Sequence, residues 1–476
     1  MKKLKLSVFD EYKAVDETAV NGRLARSLQK LGRKIVVLDD DPTGVQTVHG
    51  VHVYTNWDKP SLTAGFQEEN SIFFVLTNSR GFSTAQTAAV HNDIGKTIPQ
   101  VSAETGRDYV LISRSDSTMR GHYPLETKTL RKTIEENSSK RFHGEIIIPF
   151  FKEGGRCTID NVHYVKESDQ LTPAGETEFA KDKSFGYKSS HIGDYVEEKT
   201  KGEFKSANCA YVSLKELRNL EIEKITAKLT AIEGFNKVVV NAIDYVDVKI
   251  FAIAYIEAVL TGKEFMFRSA AAMTKVLGGI GDQPLLVREQ LITPENQNGG
   301  IVLIGSHVNK TTRQFEALKD CREPMEFIEF NQHLVSVPNG LENEAKRVTT
   351  LVEETIKSGK NTTVYTRRER FDPDTDNKDE QIKVSTKISD AVSSIIGKLG
   401  VRPNFIIAKG GITSSDVGTK ALSVKKALVM GQIKPGIPVW MTGVESKFPH
   451  MPFVIFPGNV GDVTTLREIV DLLSER

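Results

Sequence analysis

Three consecutive aspartates, Asp39, Asp40 and Asp41, stand between the apolar residues 35–38 and the triplet Pro42-Thr43-Gly44. An apolar, β-branched run that ends on charge predicts a buried strand with the acids at its carboxyl end. Successive strand side chains point to opposite faces, so at least one carboxylate faces any crevice there. Adjacent like charges are unfavourable without a compensating partner. A carboxylate in such a place can take a proton from a hydroxyl, hold Mg²⁺, or attack as a nucleophile.

The nucleophile reading has a specific form. Four apolar residues followed by Asp-x-Asp-x-Thr resemble the haloacid-dehalogenase-like phosphatase signature, and residues 73–79 resemble that family's second motif. That resemblance implies Asp39 as nucleophile and Asp41 as acid/base.

A second group follows the run 109–113. Arg114, Asp116, Ser117, Thr118, Arg120 and His122 lie within nine residues. Arginine's planar fork binds a carboxylate through two parallel hydrogen bonds, and hydroxyl side chains suit sugar hydroxyls. The loop therefore fits an acidic, hydroxylated small molecule; a helix start capped by Ser, Thr or Asp has the same composition. A third group, residues 408–422, places Gly410-Gly411 and hydroxyl residues between a strand and a helix. There the backbone can approach an anion closely and point amides at it. Residues 456–462 repeat the pattern. Residues 304–314 superficially match a P-loop but are one residue short, with Asn309 where the second glycine belongs. They read as another phosphate-facing helix start. Lys152, Arg156 and Thr177 lie in loop-rich stretches that alone decide little.

Elements must position these groups. Strand-like runs occur at 34–38, 51–54, 72–76, 109–113, 145–149 and 237–242, with helical patterns between, such as 84–98 and 124–137. The pattern fades over about 262–300, then restarts with strands at 301–306, 327–330, 363–367, 404–411, 437–441 and 453–458 and helices at 342–359 and 387–399. Alternating strands and helices predict an α/β fold of two domains, each with a largely parallel sheet flanked by helices. The expected division is residues 1–265, a linker region 266–300, and 301–476. Ligands in such sheets lie beyond the carboxyl ends of the strands, which predicts an active site in the cleft between domains. The charged stretch 368–381 reads as a solvated loop.

With 63 basic against 62 acidic residues and a net charge of +1, nothing argues for nucleic acid or an anionic membrane as partner. No apolar run approaches the roughly 18 residues of a membrane span. The N-terminus lacks the apolar core of a secretion signal. Three scattered cysteines suit neither a disulfide framework nor a zinc site, so a cytoplasmic protein is expected, with no metal held by protein ligands alone. No dinucleotide fingerprint, metalloprotease helix or nucleophile elbow is present.

Taken in order, the motifs resemble the four-carbon acid sugar kinases, a family with a sugar-binding N-terminal and a nucleotide-binding C-terminal domain. The carriers are Asp40-Asp41-Pro42-Thr43-Gly44, Asp116 to Gly121, residues 149–156 ending in Arg156, and residues 177–182. Gly305-Ser306 with Gln314, Gly410 to Ser414, and Gly458 to Gly461 complete them. Asp39 stands where that family has alanine, Arg114 where lysine is common, and residues 306–309 depart from its usual run. The resemblance implies transfer of the γ-phosphoryl group of ATP, with Mg²⁺, to a hydroxyl of threonate, erythronate or a 3-oxo-tetronate. Asp40 or Asp41 would be the base, with Arg120 also catalytic. Thr43, Arg114, Asp116, Ser117 and Arg156 would bind substrate. Ser306, Gly410, Gly411, Ile412, Thr413, Gly458 and Asn459 would bind the nucleotide. A homodimer is one expected assembly. The competing expectations are the phosphatase and a non-catalytic sugar-acid-binding protein. The kinase resemblance makes Asp39 dispensable.

Overall fold

The computed structural model describes residues 2–369, 371, 378–458 and 460–475. The chain forms two compact α/β units, Met1–Val48 with Asn56–Asp282, and His49–Thr55 with Gln283–Arg476. The division is not a single cut in the sequence, because the short strand Val51–Tyr54 belongs to the second unit.

The main sheet of the first unit runs in the order Ala210–Val212, Asn236–Val240, Gly144–Ile148, Phe265–Ser269, Tyr109–Arg114, Lys34–Asp39, Ile72–Leu76, and every neighbouring pair is parallel. Apart from the partly exposed edge strand Ala210–Val212, these strands are largely apolar runs buried on both faces, as parallel strands covered by helices must be. Helix signals frame them. Helix Thr84–Thr105 starts at a capping box formed by Ser83 and Gln86 and stops at Gly106, whose φ of 65° is the left-handed conformation glycine adopts cheaply. From Lys34–Asp39 the chain passes to Ile72–Leu76 on one side and then to Tyr109–Arg114 on the other. The crevice of a doubly wound sheet opens where strand order reverses in this way. Asp39 is in register with Arg114 at that point. A smaller antiparallel sheet of Leu4–Lys5, Gln170–Pro173, Val162–Glu167 and Arg156–Ile159 completes this unit.

The sheet of the second unit runs Val51–Tyr54, Lys426–Lys434, Ile437–Thr442, Pro452–Phe456, Ile406–Lys409, Ile301–Ile304, Asn361–Thr366, Met325–Phe330. It is parallel from Pro452–Phe456 onward and antiparallel before it. The order reverses between Ile301–Ile304 and Ile406–Lys409, which pair with Ile304 opposite Lys409.

Sequence patterning misses the antiparallel strands of the smaller sheet, most of which lie in stretches read as loop-rich, the edge strand Ala210–Val212, and three further features. Phe265–Ser269 is a central strand inside the stretch where the pattern fades; its Phe, Met and Phe carry no β-branched signal. Lys426–Lys434 is a strand whose burial alternates residue by residue, a period-2 signal in plain view. Of the charged stretch 368–381, residues 378–381 begin helix Lys378–Lys398, and Arg368 is partly buried and hydrogen-bonded rather than solvated. Residues 370 and 372–377 lie outside the described residues.

Candidate active site

The Asp39–Asp41 turn follows its strand at the reversal point of the first sheet. Asp39 and Asp40 are buried, and Asp41 is the most open of the three at 14% side-chain exposure. Two guanidiniums compensate them. Arg80 donates from Nε to Asp40 Oδ2 at 3.2 Å, from Nη2 to Asp40 Oδ1, and from Nη1 to Asp41 Oδ2 at 2.6 Å. Its backbone N–H also donates to the Asp40 carbonyl at 3.2 Å. Arg114 donates to Asp39 Oδ1 and to Gln46 Oε1, each at 3.3 Å. Ser115 Oγ donates to Asp40 Oδ2 at 2.6 Å, and the Thr43 amide donates to Asp41 Oδ1 at 2.7 Å, with the Thr43 hydroxyl on the same oxygen.

Three acids facing two permanent cations leave one negative charge in excess, and the acids share it unequally. Burial pushes the Asp39 carboxyl up to about 8, despite Arg114. Burial also raises Asp40, with Arg80 opposing. For Asp41, burial is outweighed by Arg80, Arg114 and the Thr43 donors, and its carboxyl is held below the usual range. The turn therefore presents one ionised, partly open carboxylate backed by one that retains its proton. Gly44 is required here because a Cβ would fall 1.5 Å from Asp39 Oδ2.

Beneath Asp40 lies a second layer. Arg268, at the end of the missed central strand, donates to Ser113 Oγ at 2.9 Å and pairs with buried Glu126. Glu126 also accepts from Ser79 Oγ at 2.5 Å. Ser79 and Arg80 share one turn, so this buried network fixes the arginine that binds Asp40 and Asp41.

The 113–126 loop supplies the adjoining surface. Arg120 Nε donates to Asp116 Oδ2 at 2.7 Å, and Nη1 lies 3.6 Å from Asp182. Burial would raise Asp116, but Arg120 and Arg80 outweigh it and keep it ionised. The guanidiniums of Arg120 and Arg156 both lie over the Phe179 ring, at 5.1 and 5.6 Å. Arg156 is buried, and no carboxylate pairs with it among the described residues. Among the described residues its Nε has no hydrogen-bond partner, and its Nη1 reaches only the Gly154 carbonyl. Ser117 is buried, and its carbonyl meets His163 Nε2 at 2.7 Å.

The first unit thus gathers Asp40, Asp41, Thr43, Arg114, Asp116, Ser117, Arg120 and Arg156 around the sheet's reversal point. Arg114 and Arg120 are already engaged by aspartates, whereas Arg156 is not. Sequence reasoning missed Arg80 and Arg268. Both follow the signal that exposed Asp39, a charged residue at or just after a strand's carboxyl end.

In the second unit, Ser306 is the meeting point of three glycine turns. A Cβ on Gly410 would lie 3.3 Å from Ser306 Cβ, one on Gly458 would lie 3.8 Å from Ser306 Oγ, and one on Gly305 would lie 2.4 Å from Thr413 Oγ1. Gly410 has φ of 117°, a conformation open to glycine alone without strain. Ile412 is 69% exposed, beside the turn rather than packed in it. Asn459 lies outside the described residues. Thr311 Oγ1 donates to Ser306 Oγ at 3.3 Å.

The chain matches the model of a sugar-binding N-terminal domain over residues 35–277 and that of a nucleotide-binding C-terminal domain over residues 301–466. It belongs to the four-carbon acid sugar kinase family, whose two domains these are. Among solved structures, it resembles a Haemophilus influenzae DUF1537 protein, HI1011, at 17% identity and a TM-score of 0.56, over 91% of this chain and 98% of that one. A Salmonella typhimurium LT2 protein with a provisional tRNA synthase name aligns at 16% identity and a TM-score of 0.61, over the same shares of each chain. These likenesses carry the fold alone. No curated protein matches the chain. Among the described residues, no helix is long and apolar enough to cross a membrane.

Proposed function

We propose that the protein is an ATP-dependent kinase that phosphorylates a hydroxyl of a four-carbon acid sugar of the threonate, erythronate or 3-oxo-tetronate class. One observation carries the reading. The sugar-binding domain holds an ionised, partly open carboxylate, Asp41, and a buried guanidinium, Arg156, that has no paired carboxylate among the described residues. Asp116 lies in the field of both Arg80, which grips Asp41, and Arg156. A molecule bearing both a hydroxyl and a carboxylate complements that pair: Asp41 accepts the hydroxyl's hydrogen bond and orients it, and Arg156 takes the carboxylate.

Phosphoryl transfer needs in-line placement and charge stabilisation more than covalent chemistry. Asp41 holds the acceptor oxygen and receives its proton as the bond to phosphorus forms. Arg80 keeps Asp41 ionised and in place. The Gly305-Ser306, Gly411 to Thr413 and Gly458 turns offer backbone amides to the nucleotide phosphates, while Gly410, its own amide held by the Phe456 carbonyl, lets the backbone come close. Asp39, Asp40 and Asp41 fit a hard divalent cation, with carboxylate oxygens within 4.8 Å of one another and Asp39 Oδ2 lacking any partner. Mg²⁺ bound there would offset phosphate charge. The three free cysteines suit a reducing, cytoplasmic setting.

The phosphatase reading fares worse on the same geometry. A nucleophile must be ionised and reachable, and Asp39 is 1% exposed and keeps its proton up to about 8. A coupled ATP-consumption assay over a panel of C4 acid sugars with Mg²⁺ tests the proposal. Turnover with at least one acid is expected. Asp41→Asn should abolish it while binding persists, and Arg156→Met should raise KM for the acid far more than it lowers kcat. ATP binding without turnover on any acid, or Asp41→Asn at full rate, refutes the kinase.

A further inference from the structure

Arg367 and Arg368 leave strand Asn361–Thr366 in opposite senses. Arg367 pairs with Glu329 at 2.8 Å, where both are well exposed. Arg368 turns to the glycine turns. Its Nη2 donates to the Ser306 carbonyl at 2.8 Å and to Thr312 Oγ1 at 2.7 Å. Its Nε and Nη1 are enclosed and have no hydrogen-bond partner among the described residues. No carboxylate lies within ion-pair distance of it among the described residues.

A guanidinium cannot shed its charge to escape burial, so enclosed N–H groups without an acceptor cost free energy until an anion supplies one. The residue that Arg368 grips is Ser306, where the turns of Gly305, Gly410 and Gly458 meet. Lys310, on helix Asn309–Leu318, lies close enough to buried Lys409, opposite Ile304, to help push its amine down, and so brings positive charge to the same strand ends.

We propose that Arg368 is a phosphate-binding residue of the nucleotide site, contacting the polyphosphate through the N–H groups that Ser306 and Thr312 leave free. The inference rests on the nucleotide reading above and adds a residue outside every motif that pointed to it. A bare strut between the strand end and the Ser306 turn is the competing role. The two differ in how binding depends on phosphate number.

The test is calorimetric titration of wild type, Arg368→Met and Arg368→Lys with ATP, ADP, AMP and adenosine, and competition by inorganic tripolyphosphate. Loss of hydrogen bonds to a charged group should weaken ATP binding about 10- to 100-fold in Arg368→Met. The loss should shrink from ATP to ADP to AMP and vanish for adenosine. Arg368→Lys should recover part of it, and tripolyphosphate should compete with ATP in wild type. An equal loss for all four ligands, unchanged ATP affinity, or no tripolyphosphate competition in wild type overturns the inference while leaving the nucleotide site standing. Wild type that binds no nucleotide overturns both. Should Arg368→Met not fold, the lysine variant and the wild-type competition decide.

Discussion

Replacing Asp39 by asparagine removes one ionisable group and almost no volume. The amide oxygen still accepts from Arg114, and the amide nitrogen takes the place of the partnerless Oδ2. In the folded chain the carboxyl keeps its proton up to about 8, against an ordinary value of 3.8. Between those values the folded state binds more protons than the unfolded state, so this group's contribution falls as pH rises from about 4 to about 8. Each pH unit in that window is about 1.4 kcal/mol, so the stability gained by Asp39→Asn over wild type should grow by up to about 3 kcal/mol between pH 5 and 7. Urea denaturation from pH 4 to 9, with chelator present to exclude divalent cations, reads this directly. The proposed kinase turnover should survive in reduced measure, because Asp41 remains ionised and held by Arg80. A gain that does not vary with pH, or a variant less stable than wild type at pH 8, would refute the charge accounting. Complete loss of turnover with binding intact would show that Asp39 takes part in the chemistry.

Two further outcomes follow from packing and burial. Gly44→Ala puts a methyl group 1.5 Å from Asp39 Oδ2 and should lose roughly 2–3 kcal/mol or more by overpacking, together with turnover, whereas Gly281→Ala, with open space around it, should melt like wild type. Lys409 is fully buried with its amine on the Pro457 carbonyl at 2.7 Å, and burial, then Lys310, pushes it down to about 6 from 10.5. The unfolded chain therefore binds the extra proton between about 6 and 10.5, and stability rises with pH across that window. Lys409→Met should stabilise most near pH 6 and progressively less toward pH 10 in denaturant titrations. A pH-independent effect would count against a neutral lysine.

Most of the chemically loaded stretches, though not Arg80, Arg268 or Arg368, were recognisable in the chain because they follow an apolar run, and that is where a parallel sheet delivers side chains to its crevice. Asp39 to Asp41, Arg114 to Arg120, Gly305-Ser306, Gly410 to Thr413 and Gly458 were found in this way. Most strands and the two-domain α/β class followed from local periodicity, which depends only on neighbouring residues. Sequence alone could not say which aspartate is ionised, because that depends on Arg80, 40 residues from Asp40, and on burial that only packing creates. It could not pair Arg268 with Glu126 across 142 residues, or separate the engaged arginines from unpaired Arg156. Nor could it assign strand Val51–Tyr54 to the second unit, since an apolar strand carries no mark of the sheet that will accept its hydrogen bonds. Residue type and spacing determined which groups were available for chemistry. Tertiary structure decided their charge, their partners and their freedom to meet a ligand, because each depends on groups that the fold brings together from far along the chain.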